Sequence, residues 1–284
     1  MIKVYYHENC FDGMCSAWVA WRKFGYKAEY IPINYGQSFS QSRIMEECDV
    51  NDIYFVDFSL PRKIMDVIYT LADKLVVLDH HKTAEAELKD APYAIFDLNE
   101  SGASLTWKHF FNCEPPPLLV RYIKDRDLWK FNEYKSKEVN AFIQSFEMTI
   151  DNYDILNNYL GSRSSTHLDE AIVAGTALLR YQDKLVKDMC KNFIIRKIGG
   201  YEILVVNASI LFSEVGHELC LKGLFTEENL KLFSAYYFDR NNKRQWGLRS
   251  IGDFDVSEIA KKYGGGGHRN AAGFETGKDW LGDD

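Results

Sequence analysis

The sequence lacks paired cysteines. Cys10, Cys15, Cys48, Cys113, Cys190 and Cys220 are scattered without any CxxC spacing, which argues against a zinc ribbon. A chain of 284 residues, 46% of them hydrophobic, builds its cores without disulfides, so a reducing cytoplasm suits these thiols best. Long apolar runs are missing too. The longest are strand-sized, well short of the roughly 20 residues a membrane-spanning helix needs. Met1-Ile2-Lys3-Val4-Tyr5-Tyr6-His7 shows no charged leader before an apolar block, so no export signal is expected. Positive charge is not in excess: 34 Lys and Arg against 41 Asp and Glu give −7. Such a chain has no global field for coating long duplex nucleic acid, and a local pocket for a few phosphates is what remains open to it. No internal repeat is visible.

What is present is apolar surface for real cores, in one large domain or two ordinary ones. The first half alternates strands and helices. Strands are read at Ile2–Tyr6, Ala28–Ile33, Ile53–Val56, Leu75–Leu78 and Ala94–Phe96. Helices are read at Met14–Phe24, at Pro61–Leu71 with Pro61 in its first turn, from Ser101 as cap toward Phe111, and at Leu118 to about Arg126 after Pro115-Pro116-Pro117. This alternation predicts an α/β fold with a mostly parallel sheet covered by helices. The polar stretch Asp151–Asp169, with Gly161-Ser162-Arg163-Ser164-Ser165, reads as a boundary. Thr166 with Asp169 resembles a capping box for a long helix, about Leu168–Asn192. Beyond it the pattern becomes hairpin-like: Phe193–Ile198 and Tyr201–Val206 flank Gly199-Gly200, and Leu232–Phe238 and Gln245–Ser250 flank Asp239–Lys243. Asp255 with Glu258 marks a last helix ending near Tyr263. The expected division is 1–165, a helical linker 166–192, and a smaller mixed-sheet domain 193–284.

Open parallel sheets bind ligands at the carboxyl ends of their strands. Three strand ends here carry metal-ligand residue types: His7-Glu8-Asn9-Cys10-Phe11-Asp12-Gly13, Asp57, and Asp79-His80-His81. One alone is more often a turn or helix cap; three together point to a metal centre. The run Gly264-Gly265-Gly266-Gly267-His268, followed by Arg269-Asn270-Ala271-Ala272-Gly273, reads as a backbone nest for phosphate, with histidine and arginine adding charged donors.

These residues resemble the DHH phosphoesterase superfamily. Asp79-His80-His81 matches its signature triplet, Cys10 to Ala17 its first motif, Asp57 its second, and Asp125 in Lys124-Asp125-Arg126-Asp127 its fourth. Gly264–His268 with Asn270–Gly273 resembles the glycine-rich motif of the associated C-terminal domain. The resemblance implies Mn2+ or Mg2+, two ions bridged by Asp57. Asp12, Asp57, His80 and Asp125 would hold one; His7, Asp57 and Cys10 the other. Asp127 competes with Asp125, which aligns better. Asp79 would orient the loop or the histidines, and His81 would lie near the substrate phosphate. The resemblance gives Arg249, Gly265, Gly266, Gly267 and His268 the phosphate grip. His217 and Asn207 are further cleft candidates; His109 and His167 read as structural.

Cys10 stands where the family motif has an aspartate. It either ligates as thiolate, leaves a weak second site completed by substrate, or belongs to a one-ion centre; a small packing residue is the remaining reading. The function implied is hydrolysis of short 5′-phosphorylated oligonucleotides of the pApA kind, through water activated by the ions, with Asp12, Asp57 and His81 in the catalytic set. The alternatives are an exopolyphosphatase or a non-catalytic nucleotide-binding module. The expected partner is a short single strand or other small phosphoester, with neither long duplex nor membrane.

Overall fold

The computed structural model describes residues 1–34, 52–112, 114–162, 165–223 and 233–283. Cys48, Cys113, the Arg163-Ser164 pair and Leu232, all read above, lie outside the described residues. The chain divides into two compact units, Met1–Leu179 and Arg180–Asp284.

The first unit runs β1 (Ile2–His7), α1 (Phe11–Phe24), β2 (Ala28–Ile33), β3 (Asp52–Val56), α2 (Arg62–Leu71), β4 (Lys74–Asp79), α3 (Lys82–Glu87), β5 (Ala94–Phe96), α4 (Gly102–Phe110), α5 (Leu118–Asp127), α6 (Ser136–Ile143), α7 (Ile150–Leu160) and α8 (Ser165–Met189). Its five strands form one parallel sheet in the order β2-β1-β3-β4-β5. The strands read as unbroken apolar runs because both faces are covered. Tyr5, Ile53, Phe55, Leu75 and Val77 pack on one side with Met65 and Ile68 of α2. Val4, Tyr54, Val56, Val76 and Leu78 pack on the other with Ala20 of α1 and Leu105 of α4. Outside that layer, Trp18 of α1 joins Trp107, Leu119, Ile123, Val139, Tyr153 and Leu156 in a helical core. The order 2-1-3-4-5 has its switch point between β1 and β3, where a doubly wound sheet opens a crevice.

The α/β fold expected from the alternation is the one observed. Three readings change. Pro61 is the N-cap of α2, not part of its first turn. The stretch from Asp151 starts as helix α7, whose Tyr153, Leu156 and Leu160 are buried at helical spacing; its polar count hid them because Asp151, Asn152, Asp154, Asn157 and Asn158 are interleaved with them in sequence. Helix α8 begins at Ser165, so Thr166 lies inside the first turn and does not cap it. The division between the units falls within α8.

The second unit continues with β6 (Ile194–Ile198), β7 (Tyr201–Asn207), α9 (Phe212–Gly223), β8 (Phe233–Arg240), β9 (Lys243–Ser250), α10 (Val256–Lys262), β10 (Gly266–His268) and β11 (Ala271–Gly277). Its six strands are ordered β10-β11-β9-β8-β7-β6, antiparallel except for the β7–β8 pair. Gly199-Gly200 makes the expected hairpin turn. The second hairpin is tighter than its sequence suggested: Asn241 and Asn242, with φ 50° and 61°, form a two-residue turn between Arg240 and Lys243. Helix α9 covers one face of the sheet through Val215 and Leu219. Helix α10, capped by Asp255 on the Ser257 amide, covers the other through Val256, Ile259 and Ala260. Among the described residues no helix is long and apolar enough to cross a membrane.

Candidate metal centre

The site forms at the switch point. His7 is the last residue of β1, and Asp57 follows β3 with its amide held by the Leu78 carbonyl at 2.9 Å. Asp57 takes a left-handed backbone, φ 56°, a conformation in which aspartate is one of the few tolerated side chains. Asn9, φ 57°, turns the loop so that Cys10 returns beside His7 before α1 begins.

The Asp57 carboxylate has two sides. Its Oδ1 is 3.1 Å from His80 Nε2, and its Oδ2 is 3.6 Å from His7 Nδ1. His80 Nε2 also lies 3.6 Å from Asp12 Oδ2 and 3.6 Å from Asp127 Oδ2. His7, Cys10 and Asp57 therefore make one cluster of ligand atoms, and Asp12, Asp57 and His80 a second, each within 4.8 Å. Asp12, from the first turn of α1, accepts the Gly102 amide at 2.5 Å and the Ala103 amide at 3.2 Å. Those amides open α4, whose positive end suits a carboxylate. Gly102 has no alternative residue here: a Cβ built on it would sit 2.4 Å from Asp57 Cβ. Ser101 caps α4 through the Ser104 amide, as read from sequence.

Asp79 is wholly buried and organises the histidines. Its Oδ1 accepts the amides of His80 (2.7 Å) and His81 (3.1 Å) and faces His81 Nδ1 at 2.7 Å. The His81 ring lies 4.9 Å from that of His80 and 5.8 Å from that of His7, centroid to centroid.

The electrostatics are those of crowded carboxylates. Burial, then Asp127 and Asp57, push the Asp12 carboxyl well above its usual range. Burial also opposes the Asp57 charge, but His7 and His80 outweigh it and hold Asp57 well below. His80 is disfavoured as a cation by burial, yet Asp127, Asp57 and Asp12 raise it well above a free imidazole. Burial followed by Asp57, Asp127 and Asp12 pushes the Cys10 thiol up. Asp57 Oδ2 and Asp127 Oδ2 are buried and accept no hydrogen bond. Buried acceptors of that kind fit a cation, and imidazole with carboxylate is a donor set for a divalent metal.

No protein-family model matches the chain. An uncharacterised protein of Acanthamoeba polyphaga mimivirus is 32% identical, covering 95% of this chain and 66% of that protein. Oligoribonuclease NrnB of Bacillus subtilis is 26% identical, covering 70% of this chain and 52% of that protein. The chain thus spans about half to two thirds of the length of the curated relatives it matches. Among solved structures, the DHH domain of a member of a ribosomal-protein family aligns with a TM-score of 0.50 at 13% identity, over 96% of this chain and 82% of that one. At that identity the likeness concerns the fold alone. The Asp79-His80-His81 triplet stands at the end of the fourth strand of that fold in this chain. The chain has the fold of a DHH domain.

Within this centre one sequence assignment is corrected. Asp125 does not reach the cluster. Its two oxygens accept the amides of Asn132 and Glu133, each at 2.9 Å, so it fastens the loop after α5. Asp127, two residues on, faces His80 in its place. The motif alignment favoured Asp125; what decides is that Asp125 is spent on the following loop.

The second unit brings its candidates together unevenly. Arg249 of β9 pairs with Ala271 of β11, and Ala271 pairs with His268 of β10, so Arg249 and His268 stand level on one face of the sheet. Arg249 Nη2 lies 3.2 Å from both Ser213 Oγ and Tyr236 Oη, and its Nε is buried with no hydrogen-bond acceptor. The glycine run is not an open nest. Gly264 (φ 79°) and Gly265 donate to the Lys261 and Ala260 carbonyls, each at 3.0 Å, which closes the end of α10 in a Schellman arrangement. Gly265 therefore leaves the phosphate-binding set, while Gly266 and Gly267 are strand residues paired with Gly273 and Ala272. Arg269 is tied to Asp253. Asn207 ends β7, His217 lies on α9, His109 lies on α4, and His167 stacks on Tyr159 at 4.5 Å.

The features that sequence reasoning missed are the Gly102 and Ala103 amides. The signal was available in Ser101-Gly102-Ala103-Ser104, small residues opening a capped helix where another backbone element approaches closely.

Proposed function

We propose that the protein is a metal-dependent phosphodiesterase acting on short 5′-phosphorylated oligonucleotides of the pApA kind. The observation that carries this reading is Asp57, a buried carboxylate whose two oxygens face two separate sets of ligand atoms. Asp12, Asp57, His80 and Asp127 are the residues we assign to one Mn2+ or Mg2+ ion, and His7, Cys10 and Asp57 to a second. Bound there, the ions would supply a nucleophile at neutral pH and charge stabilisation for in-line displacement.

The chain's own residues do the rest. Asp79 holds the His81 ring and, against the cost of burial, raises its pKa. His81 is assigned as a donor to charge growing on the phosphoryl oxygens. The Gly102 and Ala103 amides fix the Asp12 carboxylate. Arg249 and His268 are assigned to the substrate's terminal phosphate, with Gly266 and Gly267 leaving the backbone bare for a close approach. A two-pronged grip on a terminal phosphate suits a short 5′-phosphorylated substrate.

Hydrolysis of pApA and of tripolyphosphate, each with Mn2+ and with a chelator, tests the reading. AMP release only with Mn2+ is the expected result. Phosphate from tripolyphosphate alone would move the assignment to a polyphosphatase, and turnover of neither would leave a different phosphoester as substrate or a nucleotide-binding module. Replacing Asp57 with Ala is expected to abolish turnover while the fold survives.

A further inference from the structure

The two clusters that share Asp57 differ in chemical hardness. One offers carboxylates and an imidazole: Asp12, Asp57, His80, with Asp127 alongside. The other offers an imidazole, a thiol and one carboxylate: His7, Cys10 and Asp57. Hard oxygen sets suit Mg2+ and Mn2+, whereas a sulfur donor shifts preference toward Zn2+ and Co2+. We propose that the centre is chemically asymmetric, with the His7–Cys10–Asp57 cluster binding a thiolate-preferring ion such as Zn2+ and the Asp12–Asp57–His80 cluster keeping the hard one. The inference rests on the metal-centre reading above and goes beyond it in naming Cys10 as a ligand that selects the ion.

Three observations favour ligation over packing. Asp57 is 1% exposed, and its Oδ2, which faces this cluster, accepts no hydrogen bond. The 3.6 Å between that oxygen and His7 Nδ1 is close to the edge of a tetrahedron, about 3.4 Å for bonds of about 2.1 Å. Cys10 also occupies the N-cap of α1, a position where Ser, Thr, Asp or Asn would stabilise the helix, and its side chain makes no capping hydrogen bond. A thiol there gives up helix stability, and a ligand role accounts for it. On binding, the thiol releases its proton to solvent as the sulfur–metal bond forms.

The N-cap position also makes the test clean, because Cys10→Ser and Cys10→Asp place good capping residues there and leave folding intact. Metal-stripped full-length protein is titrated with Co2+ and followed by absorption, a readout independent of turnover. The expected result is a sulfur-to-cobalt charge-transfer band in the near ultraviolet that vanishes in Cys10→Ser. Calorimetry is expected to show Zn2+ affinity falling at least tenfold in Cys10→Asp, while Mn2+ affinity at the same site rises. A Co2+ complex without that band, or a band that survives in Cys10→Ser, overturns the proposal and leaves the metal-centre reading standing. Absence of any Co2+, Zn2+ or Mn2+ binding overturns both.

Discussion

Asp125 and Asp127 are two residues apart on one helix, yet their substitution should act on different quantities. Asp125 is 7% exposed and accepts two backbone amides at 2.9 Å. In Asp125→Asn one oxygen becomes an NH2 group and faces an amide donor. One charge-assisted bond is lost, the other weakens, and a buried N–H is left without an acceptor. At about 1.5–3 kcal/mol for a hydrogen bond to a charged group, the cost is about 3 kcal/mol. For a chain of this size that is a fall in Tm on the order of 8 °C. Asp127 instead faces His80 Nε2 at 3.6 Å, in company with Asp12 and Asp57. Asp127→Asn removes one of three crowded carboxylates, so the metal-free protein should hold or gain up to about 1 kcal/mol. Its loss should appear only with metal. If wild type is stabilised by about 2.7 kcal/mol at Mn2+ 100-fold above Kd, a 100-fold weaker variant keeps about 0.4 kcal/mol at the same concentration. Thermal unfolding of both variants with Mn2+ and with chelator, beside Mn2+ calorimetry, measures all four quantities. Wild-type Mn2+ affinity in Asp127→Asn together with lost affinity in Asp125→Asn would refute the assignment.

Gly102→Ala should be far more damaging than an exposed helical alanine substitution, because its Cβ would lie 2.4 Å from Asp57 Cβ and 2.7 Å from Oδ1. We expect about 2–3 kcal/mol of destabilisation and weaker Mn2+ binding, and unchanged affinity by calorimetry would count against the packing argument. Glu100 is held by Lys108, Lys124 and Ser104. Burial opposes its charge, but those partners lower its pKa to about 2 from 4.5. A depressed carboxylate stabilises the fold above its unfolded pKa and loses that contribution as pH falls from about 4.5 to about 2. After discounting for the exposed lysines, the stability gap between wild type and Glu100→Gln should be about 2 kcal/mol at pH 7 and close to zero at pH 2. Denaturant titrations across that range check it, and a gap that stays constant refutes it. Arg249→Lys keeps the charge but loses the planar fork that meets Ser213 and Tyr236. KM for pApA should rise about tenfold with Mn2+ affinity unchanged, so a loss of kcat alone would place Arg249 elsewhere in the reaction.

The parallel sheet was legible in the sequence because its strands are buried on both faces and read as apolar blocks separated by amphipathic helices. The metal centre was legible because strand ends in such a sheet converge, so that His7, Asp57 and His80 could be grouped without coordinates. What failed depended on which backbone group each side chain meets. Asp125 and Asp127 are equivalent as residue types on one helix turn, and only the Asn132 and Glu133 amides separate them. The glycine run looked like a nest because composition does not reveal that two of its amides already close α10. Helix α7 was hidden by the polar residues interleaved along it, although Tyr153, Leu156 and Leu160 carried the correct spacing.

Asp57 links folding to metal binding in this architecture. Its backbone sits in a sparsely populated conformation, which costs a bulkier residue more than aspartate. It is packed against Gly102 with no space for a methyl group. Its charge lies beside Asp12 and Asp127, with His80 as the near cation. The crowding of Asp12 and Asp127 beside it is unfavourable in a metal-free fold and relaxes when a divalent cation is held among the carboxylates, since like charges that repel become ligands of one centre. The hydrophobic sheet beneath, with Phe55, Val56, Val77 and Leu78 fully buried, supplies the stability that lets such a site persist without its ions. The cation therefore need not build the fold; the sheet already brings its ligands within reach.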